Sequence, residues 1–259
     1  MKAMVLAAGL GTRLRPLTNS RPKALVEING RTLLEITLSR LRKFGVREVV
    51  INVHHFAAEV ASYLAANSNF GMQVEISRED ERLLDTGGGL KNAAKFFLRD
   101  SADLPFFLHN VDVVSTIDLD EMLRLHRQRD ALAVLAVRNR SSSRYLLFDE
   151  HSALVGRRVA KDSAPANAEL SRHVNNPEAL AFCGIHVISP RLLRLMTETG
   201  VFSIIDAYLR LAGEGERILA FSADNYYWRD LGRPEHLIEA AADINDGSLV
   251  LPPQRESVT

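Results

Sequence analysis

The sequence predicts an α/β protein built on a doubly wound, mostly parallel sheet. Short, almost wholly apolar runs alternate with amphipathic stretches from residue 3 to residue 246. The runs read as strands buried on both faces, and strand–helix alternation of this kind calls for right-handed crossovers. With 259 residues, 46% of them hydrophobic and 25% charged, the chain suits one large globular domain. No internal repeat, linker or low-complexity block divides it. The expected organisation is a single domain over 1–247 and a flexible C-terminal tail over 248–259, where Pro252-Pro253 interrupts any periodicity.

The first apolar run, residues 3 to 8, stops at Gly9-Leu10-Gly11-Thr12-Arg13 and is followed by Arg15, Pro16, Pro22 and Lys23. Gly9 and Gly11 permit positive φ and close backbone approach, so successive N–H groups can face one anion. Arg13 can clamp a phosphate with its planar fork, Lys23 supplies a mobile charge, and the prolines stiffen the arm between them. This outlines a phosphate-binding loop. It is not a P-loop, because no Gly-Lys-Ser/Thr ends it, and Leu14 occupies the third small position of a dinucleotide fingerprint.

Thr32 is placed to cap a helix whose Leu33, Leu34, Ile36, Leu38 and Leu41 form a core face, and residues 48 to 53 form the next strand. A helix over 56–66 and a strand over 72–77 repeat the unit. The charged loop 78–82 leads to Asp85-Thr86-Gly87-Gly88-Gly89, a helix over about 89–98 and a strand over 105–110. A helix over 118–129 and a strand over 131–137 extend the sheet. Order then loosens: Ser141 to Ser143 is a turn, 144–160 reads as short strands, and 161–178 is polar with Pro165 and Pro177. A strand over 179–188 and a helix from Pro190 resume it. Residues 202–213 read as helix, 216–222 as extended and 234–246 as helix.

Ligands in such sheets bind outside the carboxyl ends of the strands. Asp112, just beyond the strand at 105–110, therefore belongs at the edge that carries the glycine loop. A carboxylate beside a phosphate is repulsive unless a divalent cation lies between them, which suggests magnesium held by oxygen ligands. The glycine run at 87–89 presents bare backbone that can approach a nucleobase edge. His54 and His55, adjacent on a strand end, point to opposite faces and suit hydrogen bonding rather than metal binding.

Gly9-x-Gly11-Thr12-Arg13, Pro16, Thr18 and Pro22-Lys23 together resemble the N-terminal signature of the sugar-1-phosphate nucleotidyltransferases. Trp228-x-Asp230-x-Gly232-x-Pro234-Glu235 is similar to that family's late motif, Phe182-x-Gly184-Ile185 to its sugar-side strand, and Thr86-Gly87-Gly88-Gly89 looks like the short N-acetylmuramate-1-phosphate uridylyltransferases. The resemblance implies a Rossmann-like fold with a small irregular sugar-side insertion around 138–178, and Mg2+-dependent transfer from a nucleoside triphosphate to a sugar 1-phosphate. It implies nucleotide binding by Ala8, Gly9, Gly11, Thr12, Gly87 and Gly88, catalysis by Arg13 and Lys23, sugar binding by Gly184 and Asn110, and metal binding by Asp112 with Asp230. UTP and N-acetylmuramate 1-phosphate are the expected substrates; mannose- or glucose-1-phosphate transfer from GTP, CTP or dTTP is the alternative. Val111 departs from the family, which has glycine there, and motivates a second alternative, a non-catalytic nucleotide-sugar sensor.

Thirty-two basic and thirty-two acidic residues cancel, so no overall field favours nucleic acid or an anionic membrane. Cys183 is the only cysteine, which excludes an internal disulfide and a cysteine metal cluster. No charged-then-apolar leader opens the sequence and no apolar run approaches 18 residues, so a cytoplasmic location is expected. Oligomeric state is not readable from the residues.

Overall fold

A computed structural model describes residues 1–99, 103–159, 168–171 and 174–253. The first half runs β1 (Lys2–Leu6), the short β2 (Glu27–Ile28) and β3 (Arg31–Thr32), α1 (Leu33–Lys43), β4 (Glu48–Val53), α2 (Ala57–Ala66), β5 (Gln73–Arg78), α3 (Asp85–Asn92), α4 (Ala94–Leu98), β6 (Phe106–Asn110) and β7 (Val113–Ser115). The second half runs α5 (Leu119–Gln128), β8 (Ala133–Arg138), β9 (Arg144–Phe148), β10 (Leu154–Val159), β11 (Ala168–Leu170), β12 (Glu178–Ile188), α6 (Arg191–Leu195), α7 (Ile204–Gly213), β13 (Ile218–Ser222), β14 (Trp228–Asp230) and α8 (Pro234–Asn245). Thr32 caps α1 as the sequence predicts, its Oγ1 accepting from the Glu35 N–H at 3.0 Å.

Among the described residues the central sheet has ten strands. Strands β5, β4, β1 and β6 are parallel, β12 inserts antiparallel to β6, and β8 and β13 continue beyond it. The antiparallel β12 was not expected from the sequence. Its apolar run is the same whichever way the strand points, so direction is set by the long excursion that precedes it.

Period-2 alternation splits the core between the two faces. Ala3 and Val5 of β1 join α1, α2, α5 and α8 on one side, whereas Met4 joins α3, α4, α6 and α7 on the other. Helices on both faces explain why the central strands are mostly apolar, whereas the edge strand β5 carries Gln73, Glu75 and Ser77. The excursion after β8 folds as β9, β10 and β11, an antiparallel extension that joins the first residues of β12. Part of the expected sugar-side insertion, residues 160–167 with Pro165, and residues 172–173, lies outside the described residues.

Two boundaries are corrected. The glycine run does not precede a helix; it lies inside α3, which starts at Asp85. The C-terminal segment over 248–253 is packed rather than free: Leu249 is buried, its N–H donates to the Asp243 carbonyl at 2.8 Å, and the Pro252 carbonyl accepts from Arg31 at 2.6 Å. One well-placed leucine and one carbonyl anchor a stretch that carries no periodicity. The remainder of the expected tail, 254–259, lies outside the described residues.

Candidate active site

Strand β1 has β4 on one side and β6 on the other, so strand order reverses at its carboxyl end, where open α/β sheets form a crevice. In the register, Leu6 is level with Asn52 of β4 and with Asn110 of β6. The loops that leave these strands, 7–9 and 111–112, therefore meet. They wall a cavity of about 450 Å³ with Ala8, Gly9, Lys23, Asn110 and Asp112 in its lining.

Gly9 faces open space, so a ligand can approach its backbone. Gly11 serves the loop instead: φ is +63°, and a Cβ there would lie 2.9 Å from Thr18 Cγ2 and 3.2 Å from Lys23 Cβ. Thr18 Oγ1 donates to the Gly11 carbonyl at 2.8 Å and closes the arm. Thr12 and Arg13 are exposed on a single three-residue 3-10 turn, too short to supply a helix dipole of consequence. Lys23 opens a second such turn after Pro22 and is buried, and its ammonium forms an ion pair with the Asp112 carboxylate.

The far wall of this cavity is a buried polar chain. The Ala7 N–H donates to Asn52 Oδ1 at 2.8 Å, Asn52 Nδ2 donates to Glu79 Oε1 at 2.7 Å, and the Leu84 N–H donates to Glu79 Oε2 at 2.8 Å. Glu79 thus ties the loop after β5 to the loop after β1. His54 Nδ1 sits 2.5 Å from the Glu79 carbonyl, in keeping with the hydrogen-bonding role expected of it. Asp85 and Thr86 line the cavity, but Gly87 and Gly88 do not. The N–H groups of Gly87 and Gly88 both donate to the Phe202 carbonyl, at 3.0 and 3.2 Å, which corrects the expectation that this bare backbone faces a nucleobase. The run exists for packing: a Cβ on Gly88 would lie 2.5 Å from the Gly200 carbonyl oxygen.

A second cavity, of about 650 Å³, opens on the other side of Asn110, which lines both. Arg13, Gly184 and Asp230 are among its walls. Asp230 arrives through a ribbon of β7 and β14 that pairs it with Val113, and the Leu231 N–H donates to the Asp112 carbonyl at 2.7 Å. Asp112, in the turn between β6 and β7, and Asp230, at the end of β14, are 118 positions apart in sequence and are thereby joined through the backbone. Gly232 leaves the room this requires, since a Cβ on it would meet Arg13 Nη2 at 2.5 Å and Asp230 Oδ1 at 2.7 Å. Gly184 has φ +76° within a bulge of β12, and a Cβ there would lie 2.8 Å from Asn110 Nδ2.

Trp228 donates its Nε1–H to the Cys183 carbonyl at 2.8 Å, and Arg140 lies over its ring, 4.3 Å from the centroid. Cys183 is buried, and burial pushes its thiol up to about 12, so it is an inert packing residue. Val111 is also buried, with its N–H donating to the Leu6 carbonyl at 3.1 Å; its side chain packs in the core and the strand keeps its register. Beneath it, burial holds His109 neutral, its pKa lowered to about 4.

Among the described residues no three His, Cys, Asp or Glu side chains cluster as a self-sufficient metal site. Asp112 and Asp230, brought near each other through the Leu231 N–H, offer ionised oxygens of the kind that hard divalent cations take as ligands. The sequence-predicted residues divide between the cavities: Ala8, Gly9, Lys23 and Asp112 in the first, Arg13, Gly184 and Asp230 in the second, Asn110 in both. Gly11, Thr12, Gly87 and Gly88 line neither. Sequence reasoning missed Asn52, Glu79, Arg138 and Arg140, whose only signal is a polar residue at the carboxyl end of a buried strand.

The sequence profile described as nucleotidyl transferase matches residues 2–247. The chain belongs to the nucleotidyl transferase family. It is 33% identical over 253 residues to the N-acetylmuramate alpha-1-phosphate uridylyltransferase of Caulobacter vibrioides, covering 93% of this chain and 96% of that one. It is 29% identical over 249 residues to the mannose-1-phosphate guanylyltransferase of Mycobacterium tuberculosis, covering 95% of this chain but 65% of the relative. The structure of HddC from Yersinia pseudotuberculosis, complexed with GMP-PN, superposes with a TM-score of 0.72 at 21% identity, covering 94% and 99% of the two chains. This nucleotidyl transferase thus shares the Rossmann-like fold of its structural neighbours, and among its described residues no helix is long and apolar enough to cross a membrane.

Proposed function

We propose that the protein transfers uridine monophosphate from UTP to N-acetylmuramate 1-phosphate, giving the nucleoside-diphosphate sugar and pyrophosphate. The observation that carries this reading is the pair of cavities sharing Asn110, with Lys23, Asp112, Arg13 and Asp230 distributed between them. A two-substrate transfer needs this arrangement, one compartment for each partner and the charged groups at their junction. Near full-length similarity to the Caulobacter vibrioides uridylyltransferase supports the choice of substrates.

In this reading the sugar phosphate oxygen attacks the α-phosphorus in line and pyrophosphate departs. That oxygen is already ionised, so no general base is needed; orientation and charge neutralisation dominate. Lys23 exchanges Asp112 for oxygens of the two phosphates being joined, and Arg13 reaches the departing phosphates from the second cavity, where it stands beside Asp230. Asp112 and Asp230 are the residues that would hold Mg2+, which when bound supplies positive charge against the phosphates. The sensor reading rests on Val111, whose side chain packs in the core at the edge of the first cavity without disturbing strand register, and pyrophosphate release is what separates that reading from catalysis.

Pyrophosphate release measured with UTP, GTP, CTP and dTTP against N-acetylmuramate, N-acetylglucosamine, mannose and glucose 1-phosphates tests the proposal. UTP with N-acetylmuramate 1-phosphate should give the highest kcat/KM. A maximum for GTP with mannose 1-phosphate would replace these substrates with the alternative pair. Nucleotide binding without release from any pair would reject catalysis.

A further inference from the structure

The second cavity holds more positive charge than a sugar phosphate requires. Five arginines line it, at 13, 138, 140, 229 and 233, against one carboxylate, Asp230. Most have acidic neighbours: Arg229 pairs with Asp243 at 2.8 Å and with Glu239, Arg233 with Glu235 at 3.7 Å, and Arg138 Nε lies 3.9 Å from Asp224. Arg13 stands against Gly232 beside Asp230. Among the described residues, Arg140 has no carboxylate partner. Its guanidinium donates to the carbonyls of Ser141, at 3.1 Å, and Phe182, at 3.2 Å, and lies over the Trp228 ring. The Nε atoms of Arg138 and Arg140 are both buried without a hydrogen-bond acceptor.

A guanidinium fixed on three sides and lacking a counter-ion, in a wall continued by Ser141 to Ser143, is a preformed receptor for an anion. Asp112 and Lys23, where the first cavity concentrates its charge, are not among the second cavity's walls. An anion at Arg140 is therefore separate from the phosphates at Lys23. Building on the function proposed above, we infer that Arg140, supported by Arg138, binds a carboxylate carried by the sugar itself and so selects acidic sugar 1-phosphates over neutral ones. N-acetylmuramate, with its lactyl carboxylate, belongs to that class; mannose, glucose and N-acetylglucosamine do not.

The decisive comparison is between N-acetylmuramate 1-phosphate and N-acetylglucosamine 1-phosphate, which differ by the lactyl group alone. With UTP, the unaltered protein should prefer the acidic sugar by roughly 10- to 100-fold in kcat/KM, the discrimination expected when a half-buried charged group would otherwise stay without a counter-ion. Arg140→Met should abolish most of this preference by raising KM for the acidic sugar, the loss in kcat/KM being at least about fivefold larger for the acidic sugar than for the neutral one, and Arg140→Lys should recover part of it. Equal use of both sugars by the unaltered protein, or an equal loss for both in Arg140→Met, would overturn the inference while leaving nucleotidyl transfer intact. Failure of every sugar 1-phosphate to turn over would overturn both.

Discussion

Lys23 and Asp112 are held together with side-chain exposures of only 11% and 14%. Removing two charges from water to this extent is costly, and an ion pair repays that cost incompletely. Such a pair is poorly explained by stability and well explained by use. Lys23→Ala should lower kcat by roughly 100- to 1000-fold, the scale on which preorganised charge at a reacting centre acts, while nucleotide affinity measured by calorimetry falls less than about tenfold. Turnover within a factor of three of the unaltered protein would reject the role. Gly88 shows the same reasoning applied to packing. Alanine there would gain about 1 kcal/mol of helix propensity but would press on a backbone oxygen that cannot rotate away, and overpacking of that kind costs about 1–3 kcal/mol or more. The clash wins: Gly88→Ala should lower Tm by several degrees, and an unchanged or higher Tm would show that α3 can shift.

At the scale of elements, the two-stranded ribbon of β7 and β14 makes one site out of two distant motifs. Asp112→Asn and Asp230→Asn should each weaken Mn2+ binding, read by electron paramagnetic resonance in the presence of nucleotide, by about 10-fold or more, since each removes one ionised oxygen ligand. Retained affinity in either variant would exclude that residue as a ligand. The ribbon was not legible in the sequence. Three-residue strands carry no period, and their pairing joins residue 113 to residue 230 across most of the chain. The meaning of Gly87 and Gly88 was hidden for the same reason, because the partners that demand glycine, Phe202 and Gly200, lie over 100 residues away. The strands and helices of the main sheet were legible because their apolar periodicity is a local property, and the position of Asp112 in a cavity wall because clefts in this architecture form beyond the strand ends.

Across the whole molecule, the two-faced core buries histidines as well as hydrocarbon. His109 and His126 have pKa values lowered to about 4 and His186 to about 3, in each case chiefly by burial. The unfolded chain protonates these rings near pH 6.5 whereas the folded protein does not. Between pH 6.5 and about 4 the unfolded state therefore binds more protons, and stability falls as pH falls. Each ring contributes up to about 1.4 kcal/mol per pH unit in that window. Urea unfolding at pH 7.0, 6.0 and 5.2, above the range where most carboxylates titrate, should show a steepening loss of stability; a flat profile would mean that the rings are solvated. The docking of residues 248–253 is likewise a property of the whole fold, since Leu249 has a place only once the face carrying α8 and α1 is assembled. A lone leucine after a helix gives no sign of that beforehand.

The ion pair at the mouth of the first cavity has one more consequence, for what the site turns away. Because Lys23 and Asp112 neutralise each other, a visitor with only negative charge can win the lysine only by stranding the aspartate, and one with only positive charge does the reverse. A visitor bringing both signs together replaces both halves of the pair at once and strands neither. In the function proposed above, the pair would thus act as an electroneutral lock, set against free phosphate and stray cations and opened most readily by a polyphosphate that arrives with its own counter-ion.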